Sequence, residues 1–336
     1  MVENKHQMKS FYLDKKVVVT GGTGLIGIPL VKKLISYGAK VTVASLDNEL
    51  RMPKGAIFKK IDLRYLDKCE ELCDGQNIIF HLAGVKGSPF LTKTKPASFM
   101  TPTVMFSFNM LEAARRSKVE RFLFTSSVGV YAPSEVFLED DVWKTFPSEN
   151  DTYAGWSKRL CELQISSFGI EYDWKNIAIV RPTNIYGPFD NFDPETAMVI
   201  PSLINRVVSG ENPLNVWGDG SAIRDFAFSE DVADAMLKVI SNEIYKPINL
   251  GSGTGFTIKE IVNSIISYFD KKIEVQWDIS KPTGDAKRVM DITKAKSLGI
   301  ELNTSLQEGI NKTIDWYLSN QKNSSINDRY NSFKEF

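Results

Sequence analysis

Histidine is nearly absent from this chain, with two in 336 residues, and cysteine appears three times. Cys69, Cys73 and Cys161 cannot build a disulfide framework, and an odd count suits a reducing compartment. The four-residue spacing of Cys69 and Cys73 would bring both thiols to one side of a helix. His6 and His81 cannot complete a ligand set around them, so no metal site is expected. Charge of one sign is missing too, because 41 basic residues meet 41 acidic ones. No sequence-wide field draws the chain to nucleic acid or to an anionic membrane, and any bound anion must be gripped locally. Apolar runs such as Val17–Val19 and Phe122–Phe124 fall far short of the roughly 20 residues of a membrane helix. The polar start, Met1–Lys9, lacks the apolar core of a secretion signal, which leaves the cytoplasm as the expected location.

What the chain does have is βαβ grammar. From Lys15 to Ser127, short β-branched runs alternate with longer stretches whose apolar residues recur three and four apart. The runs Lys16–Thr20, Lys40–Ala44, Ile57–Lys60, Asn77–Leu82 and Arg121–Ser126 read as strands. Ile26–Tyr37, Asp67–Cys73 and Ser98–Arg116 read as the helices between them. Strands joined by helices run parallel, which predicts an α/β fold with a Rossmann-type doubly wound sheet and ligands beyond the carboxyl ends of its strands. A helix at Tyr153–Phe168 and a strand at Asn176–Val180 follow. Turn formers then crowd Arg181–Pro188 and Val216–Ser221, and the alternation breaks down. The expected organisation is a dinucleotide-binding domain over 1–180 and a smaller, mixed C-terminal substrate lobe over 181–318, with some chain exchanged between them. A loose polar tail is expected over 319–336.

The first strand runs straight into Gly21, Gly24 and Gly27. Glycines where a strand becomes a helix let the backbone approach a diphosphate and offer it N–H groups at a helix N-terminus. Thr23, Leu25 and Ile26, set among them, belong to the same expected site. A carboxylate at the end of the second strand would accept ribose hydroxyls, whereas an Arg there would pair a 2′-phosphate. Asp47 stands slightly late for that role and the first Arg is Arg51, which favours NAD and leaves NADP open. After the third strand, Asp62 and Leu63 are placed to meet the adenine.

Together with His81-Leu-Ala-Gly84, Thr125-Ser-Ser-Val-Gly-Val-Tyr131, Arg181-Pro-Thr-Asn-Ile-Tyr-Gly-Pro188 and Asp219-Gly-Ser-Ala-Ile-Arg-Asp-Phe226 ahead of Asp231-Val-Ala233, this turn resembles the extended short-chain dehydrogenase/reductase family that acts on nucleoside-diphosphate sugars. The likeness spans roughly residues 15–315. It implies an enzyme with Leu82 and Ala83 in the cofactor site and a homodimer built from Met100–Arg116 and Tyr153–Phe168 as a four-helix bundle. It also implies Ser127 as the residue that steadies the substrate oxygen and Lys158 as the lysine that lowers a tyrosine pKa and holds the nicotinamide ribose. On the substrate side it points to Asn184, Arg224 and Arg288, with Lys86 near the cleft.

The tyrosine departs from the family pattern. Ala154 occupies the place four residues before Lys158, and Tyr153 lies five before it. At about 100° per residue, a spacing of four leaves two side chains about 40° apart, but five opens that to about 140°. Either a π-bulge eased by Gly155, or a helix beginning at Ala154, would bring Tyr153 back. Relatives that dehydrate or decarboxylate sugars carry an acidic residue where this chain has Gly129. Those that epimerise beside a ketone use a Cys and a His, which fall on Gly129 and Met198. What remains is 4-epimerisation through a transient ketone, or one-way reduction or oxidation at a sugar carbon. The rival from another class is a cofactor-binding protein without chemistry.

Overall fold

The computed structural model describes residues 2–85, 87, 89–194, 196–270, 272–281, 283–321, 329–331 and 333. The chain opens with α1 (Val2–Tyr12), β1 (Lys16–Thr20), α2 (Gly27–Ser36), β2 (Lys40–Ser45), β3 (Ile57–Lys60) and α3 (Leu66–Cys73). β4 (Ile78–His81), α4 (Pro89–Thr94), α5 (Pro96–Arg116), β5 (Arg121–Thr125), α6 (Thr152–Glu171) and β6 (Ile177–Pro182) follow. The β-branched cores of these strands are almost wholly buried, as suits a sheet covered on both faces. In α2, Leu30, Val31 and Leu34 fall on one stripe and are buried against the sheet.

Seven parallel strands form the main sheet in the order β10-β6-β5-β4-β1-β2-β3, where β10 is Ile248–Leu250. The winding reverses between β1 and β4, so a crevice opens beyond their carboxyl ends. On one face lies an apolar layer joining α1, α2 and α8 (Ser229–Ser241) to Val17, Val19 and Phe80; on the other, α3, α5 and α6 pack on Val18, Ile79 and Phe122. α8 and β10 thus belong to the C-terminal half of the sequence but pack into the main sheet and its layer.

The smaller lobe has its own core around Ile200, Leu203, Phe226, Ile261 and Ile314. It is built from β7 (Asn184–Tyr186), α7 (Val199–Val208), β8 (Leu214–Trp217), β9 (Ile223–Phe228), β11 (Gly255–Thr257), α9 (Ile258–Ile266), β12 (Val275–Asp278) and β13 (Lys287–Arg288). β9 pairs antiparallel with β11 and parallel with β7 and β13, so this sheet is mixed. α11 (Leu306–Asn320) completes the lobe, while α10 (Thr293–Ser297) packs on β10 at the edge of the main sheet.

The two ends of the chain hold structure that composition does not announce. The polar N-terminus forms α1, pinned by the buried Tyr12, whose hydroxyl donates to the Leu237 carbonyl at 2.8 Å. Much of 319–336 lies outside the described residues. Of the rest, Ser319 and Asn320 close α11, and Phe333 is only 5% exposed. Both segments are polar on average, and one or two buried aromatic residues suffice to dock them. Cys69, Cys73 and Cys161 are buried thiols whose pKa values burial pushes up. No described helix is long and apolar enough to cross a membrane, and no described cluster of His, Cys, Asp and Glu could hold a metal.

Candidate active site

At the end of β1 the backbone turns through Gly21 with φ +68°, a left-handed conformation that favours glycine. A Cβ on Gly27 would lie 2.3 Å from the Gly21 carbonyl oxygen, so this glycine lets α2 close on the strand end. A Cβ on Gly24 would meet only Gly21 O, at 3.2 Å, and otherwise faces open space. No side chain caps the start of α2 at Ile26; the Ile28 N–H is bonded to the Gly24 carbonyl at 3.0 Å and Pro29 has none, so a ligand would take N–H groups of the turn just before them. Leu82 and Ala83 lie directly against Gly21.

Asp47 reaches this turn although it lies two residues past β2. Its Oδ2 accepts from the Thr23 hydroxyl at 2.7 Å, and the Ser45 hydroxyl holds both the Asp47 N–H and Thr23. Arg51 is tucked beneath Thr23, 2% exposed at its side chain, with Nε 3.4 Å from the Thr23 carbonyl oxygen. Asp62 is gripped by the Arg64 guanidinium at 2.6–3.0 Å. Burial opposes its ionisation, but those hydrogen bonds outweigh burial and hold the carboxyl below its ordinary range. Leu63 is buried beside it. A tight glycine cradle, an uncapped helix start and a carboxylate beyond β2 fit an adenine dinucleotide.

Next along the crevice, Ser127 leaves β5 and its hydroxyl accepts the Gly129 N–H at 3.1 Å. Lys158, on α6, donates to the Thr125 carbonyl at 2.9 Å and lies 5.0 Å from the Phe124 ring centroid. The residue as a whole is only partly buried, but its ammonium is enclosed by protein and burial pushes its pKa down. Lys158 is thus anchored at the end of β5, and Ser127 lies two residues past that strand. His81 contributes no acid or base: its ring bridges Thr20 and Ser107, and burial drives its pKa down to about 3.

Tyr153 does not join them. α6 starts at Thr152 and is regular from its first turn, with the Ser157 hydroxyl bonded to the Tyr153 carbonyl one turn back. Neither the bulge nor the late helix start occurs. Tyr153 therefore sits about 140° round the helix from Lys158 and is 45% exposed. Gly155 serves another purpose: its missing Cβ, which would lie 2.3 Å from the Gly129 carbonyl oxygen, lets α6 touch the Ser127 turn.

On the substrate side, Arg224 bonds, among the described residues, the backbone carbonyls of Ile223 and Thr283. Burial, and then the neighbouring Arg288, lower its pKa to about 10, which marks a cation short of counter-charge. Arg288 differs. Its guanidinium pairs with Asp151 and Asp285, each at 2.5 Å, and these carboxylates overcome the burial that would lower its pKa. Asn184 donates to the Asp225 carbonyl at 2.9 Å, which ties its amide into the smaller lobe. Lys86 lies outside the described residues.

A model of the NAD dependent epimerase/dehydratase family matches residues 17–251. The chain belongs to that family. It is 30% identical to GDP-L-fucose synthase 1 of Arabidopsis thaliana, over 91% of this chain and 94% of the relative. UDP-glucose 4-epimerase of Thermotoga maritima, solved with UDP-glucose, is similar with a TM-score of 0.80 at 26% identity, covering 91% of this chain and all of that one. The UDP-glucose 4-epimerase of Thermus thermophilus, solved with NAD, has a TM-score of 0.79 at 27% identity, over 90% and 99%. Membership makes the protein an NAD(P)-dependent enzyme of the nucleotide-sugar epimerase and reductase class.

Two features of this family member escaped sequence reasoning. Asp151, just before α6, enters the site as the partner of Arg288, and only the closure of the smaller lobe brings them together. The C-terminal segment returns to the cofactor end: the Tyr330 N–H donates to Asp47 Oδ1 at 2.9 Å, and the Phe333 ring covers Gly87. Contacts spanning 283 residues leave no local signal.

Proposed function

We propose that the protein is an NAD-dependent nucleoside-diphosphate-sugar epimerase, which inverts carbon 4 through a transient 4-keto sugar. The observation that carries this reading is the placement of both Ser127 and Lys158 at the end of β5, in a chain with no ionisable side chain at positions 129 and 198. Such a site supports hydride exchange with one proton transfer and no chemistry at the carbons beside the ketone. The bound coenzyme supplies reversible hydride exchange. Gly21–Gly27, Thr23, Asp47, Leu82, Ala83 and Lys158 would hold it, and Asp47 with Arg51 turned beneath Thr23 favours NAD. Arg224 offers its under-compensated charge to the substrate diphosphate.

Retained NAD suits epimerisation, since a hydride taken up in one half-reaction returns in the other. One-way reduction of a 4-keto sugar is the second reading, supported by the likeness to GDP-L-fucose synthase. α5 and α6 present Met105, Leu163 and Ile170 to solvent, at 43%, 55% and 85% exposure, which supports a homodimer through these helices. The absence of a membrane-spanning helix among the described residues agrees with a cytoplasmic location.

The test is turnover on a panel of GDP-, UDP-, CDP- and dTDP-sugars, following epimer formation and nicotinamide absorbance. Epimer without net NADH is the expected result, net oxidation of NADPH by a 4-keto sugar would establish the second reading, and no reaction on any sugar would refute both. Lys158→Ala is expected to abolish turnover.

A further inference from the structure

Reaction at a sugar hydroxyl requires a group that takes its proton, and the phenol that would do so faces solvent on the wrong side of α6. We propose that Asp151 is the general acid and base of this enzyme, working with Ser127 on the same substrate oxygen. The proposal rests on the hydride-transfer reading above.

The geometry converges on Gly129. A Cβ placed there would lie 3.5 Å from Asp151 Cβ, 3.6 Å from its carboxyl carbon and 3.6 Å from Ser127 Oγ. The Asp151 side chain and the serine hydroxyl therefore border one small volume that the missing side chain of Gly129 leaves open, with the carboxylate oxygens at 3.6 Å or more from its centre and one of them on Arg288. A turn of the carboxyl group away from Arg288 would bring an oxygen to hydrogen-bond distance, about 2.7–3.0 Å, of a substrate oxygen held by Ser127. Gly155 makes this approach possible, because α6 contacts the Ser127 turn through Gly129 itself and delivers the residue immediately before the helix into that space.

The charges around Asp151 fix its position at the edge of the cleft. Arg288 pairs with it at 2.5 Å, and Arg224 lies within its electrostatic reach. Asp285 also holds Arg288, so a diphosphate drawn to these arginines would compete with two carboxylates for the same guanidinium. The Asp151 side chain is 20% exposed, accessible from the cleft and screened from bulk water.

The step balances. The proton of the substrate hydroxyl passes to a carboxylate oxygen of Asp151, the carbon–hydrogen bond breaks with its electron pair leaving as hydride to the nicotinamide, and a C=O bond forms. In the return half-reaction the hydride adds to either face of the carbonyl carbon and the neutral Asp151 carboxyl gives its proton back to the oxygen.

The experiment compares wild type, Asp151→Asn, Asp151→Ala and Tyr153→Phe on whichever nucleotide sugar the wild type converts. The expected result is a loss in kcat of about 10²–10⁴-fold in Asp151→Asn, with KM within a few-fold, thermal unfolding unchanged and NAD affinity unchanged. Formate should restore activity to Asp151→Ala, and Tyr153→Phe should retain wild-type kcat. Calorimetry with the nucleotide sugar and coenzyme-free Asp151→Asn gives a readout independent of turnover: affinity should be equal or tighter, since Arg288 has lost a competing anion. A kcat near wild type in Asp151→Asn, a defect confined to KM, or weaker sugar binding by tenfold or more would overturn the proposal, as would inactivity of Tyr153→Phe. Those outcomes in an active enzyme refute Asp151 alone, whereas a wild type inert on every sugar refutes the functional reading as well.

Discussion

Replacing Gly27 with alanine tests whether the glycine turn is built around close backbone approach. The new Cβ would sit 2.3 Å from the Gly21 carbonyl oxygen, 2.6 Å from Gly22 Cα and 2.8 Å from the Gly22 carbonyl carbon. All three are backbone atoms, so no side chain can swing away. Ordinary contact begins at 3.4 Å, and α2 must retreat from the turn by about 1 Å. Overpacking of this kind costs about 1–3 kcal/mol, and a loss of about 2 kcal/mol lowers the Tm of a chain this large by about 3 °C. The same retreat moves the N–H groups meant for the coenzyme diphosphate. A displacement of about 1 Å can cost roughly a hundredfold, or about 2.7 kcal/mol of NAD affinity. Calorimetric titration with NAD and thermal unfolding measure the two effects side by side. Gly24→Ala is the control, because its Cβ meets only one atom, at 3.2 Å, and points into open space. Its Tm should stay within about 1 °C of wild type, while its NAD affinity falls because the methyl group occupies ligand space. A Gly27→Ala protein with wild-type Tm and wild-type affinity would refute the reasoning, since α2 would then not depend on that contact.

Glu162→Ala should destabilise the fold by about 3–5 kcal/mol, because it strands Arg181, whose guanidinium is buried and bonds both Glu162 oxygens, at 3.0 and 2.7 Å. Urea denaturation reads this, and a change below about 1 kcal/mol would show that the pair is dispensable. His81 titrates near 3 when folded and about 6.5 when unfolded, so the unfolded chain binds the extra proton between those values. Stability is therefore complete above about pH 6.5 and falls as pH drops below it, by about 2 kcal/mol at pH 5. His81→Asn should flatten that slope in denaturation series, and an unchanged slope would locate the effect elsewhere. Deleting residues 321–336 frees Asp47 Oδ1 from the Tyr330 N–H. One charge-assisted hydrogen bond of about 1.5 kcal/mol corresponds to NAD binding about tenfold tighter, and weaker binding would instead identify the segment as a clamp.

The cofactor end of the site was legible because it is local. Gly21, Gly24, Gly27, Thr23 and the strand before them lie within a dozen residues, and the backbone geometry that needs them is set by that same stretch. Asp47 read as late by counting, yet the Ser45 and Thr23 hydroxyls bring it to the turn. Ser127 and Lys158 came only from the family pattern, and the structure anchors Lys158 to the end of β5 through the Thr125 carbonyl.

What the sequence by itself determined is the alternation of strand and helix, hence the parallel sheet, and the glycine turn at the end of β1. It also determined the five-residue gap between Tyr153 and Lys158, whose consequence is simple helical geometry. Only the tertiary structure decided that α6 stays regular, that Gly155 and Gly129 touch, and that Asp151 thereby enters the cleft beside Ser127. It alone paired Arg288 with Asp151 and Asp285 while leaving Arg224 without a carboxylate partner. The Asp151–Arg288 pair joins residues more than a hundred positions apart, and Gly155 meets Gly129 only once α6 has folded back on the turn after β5; local propensity and periodicity carry no information about such encounters.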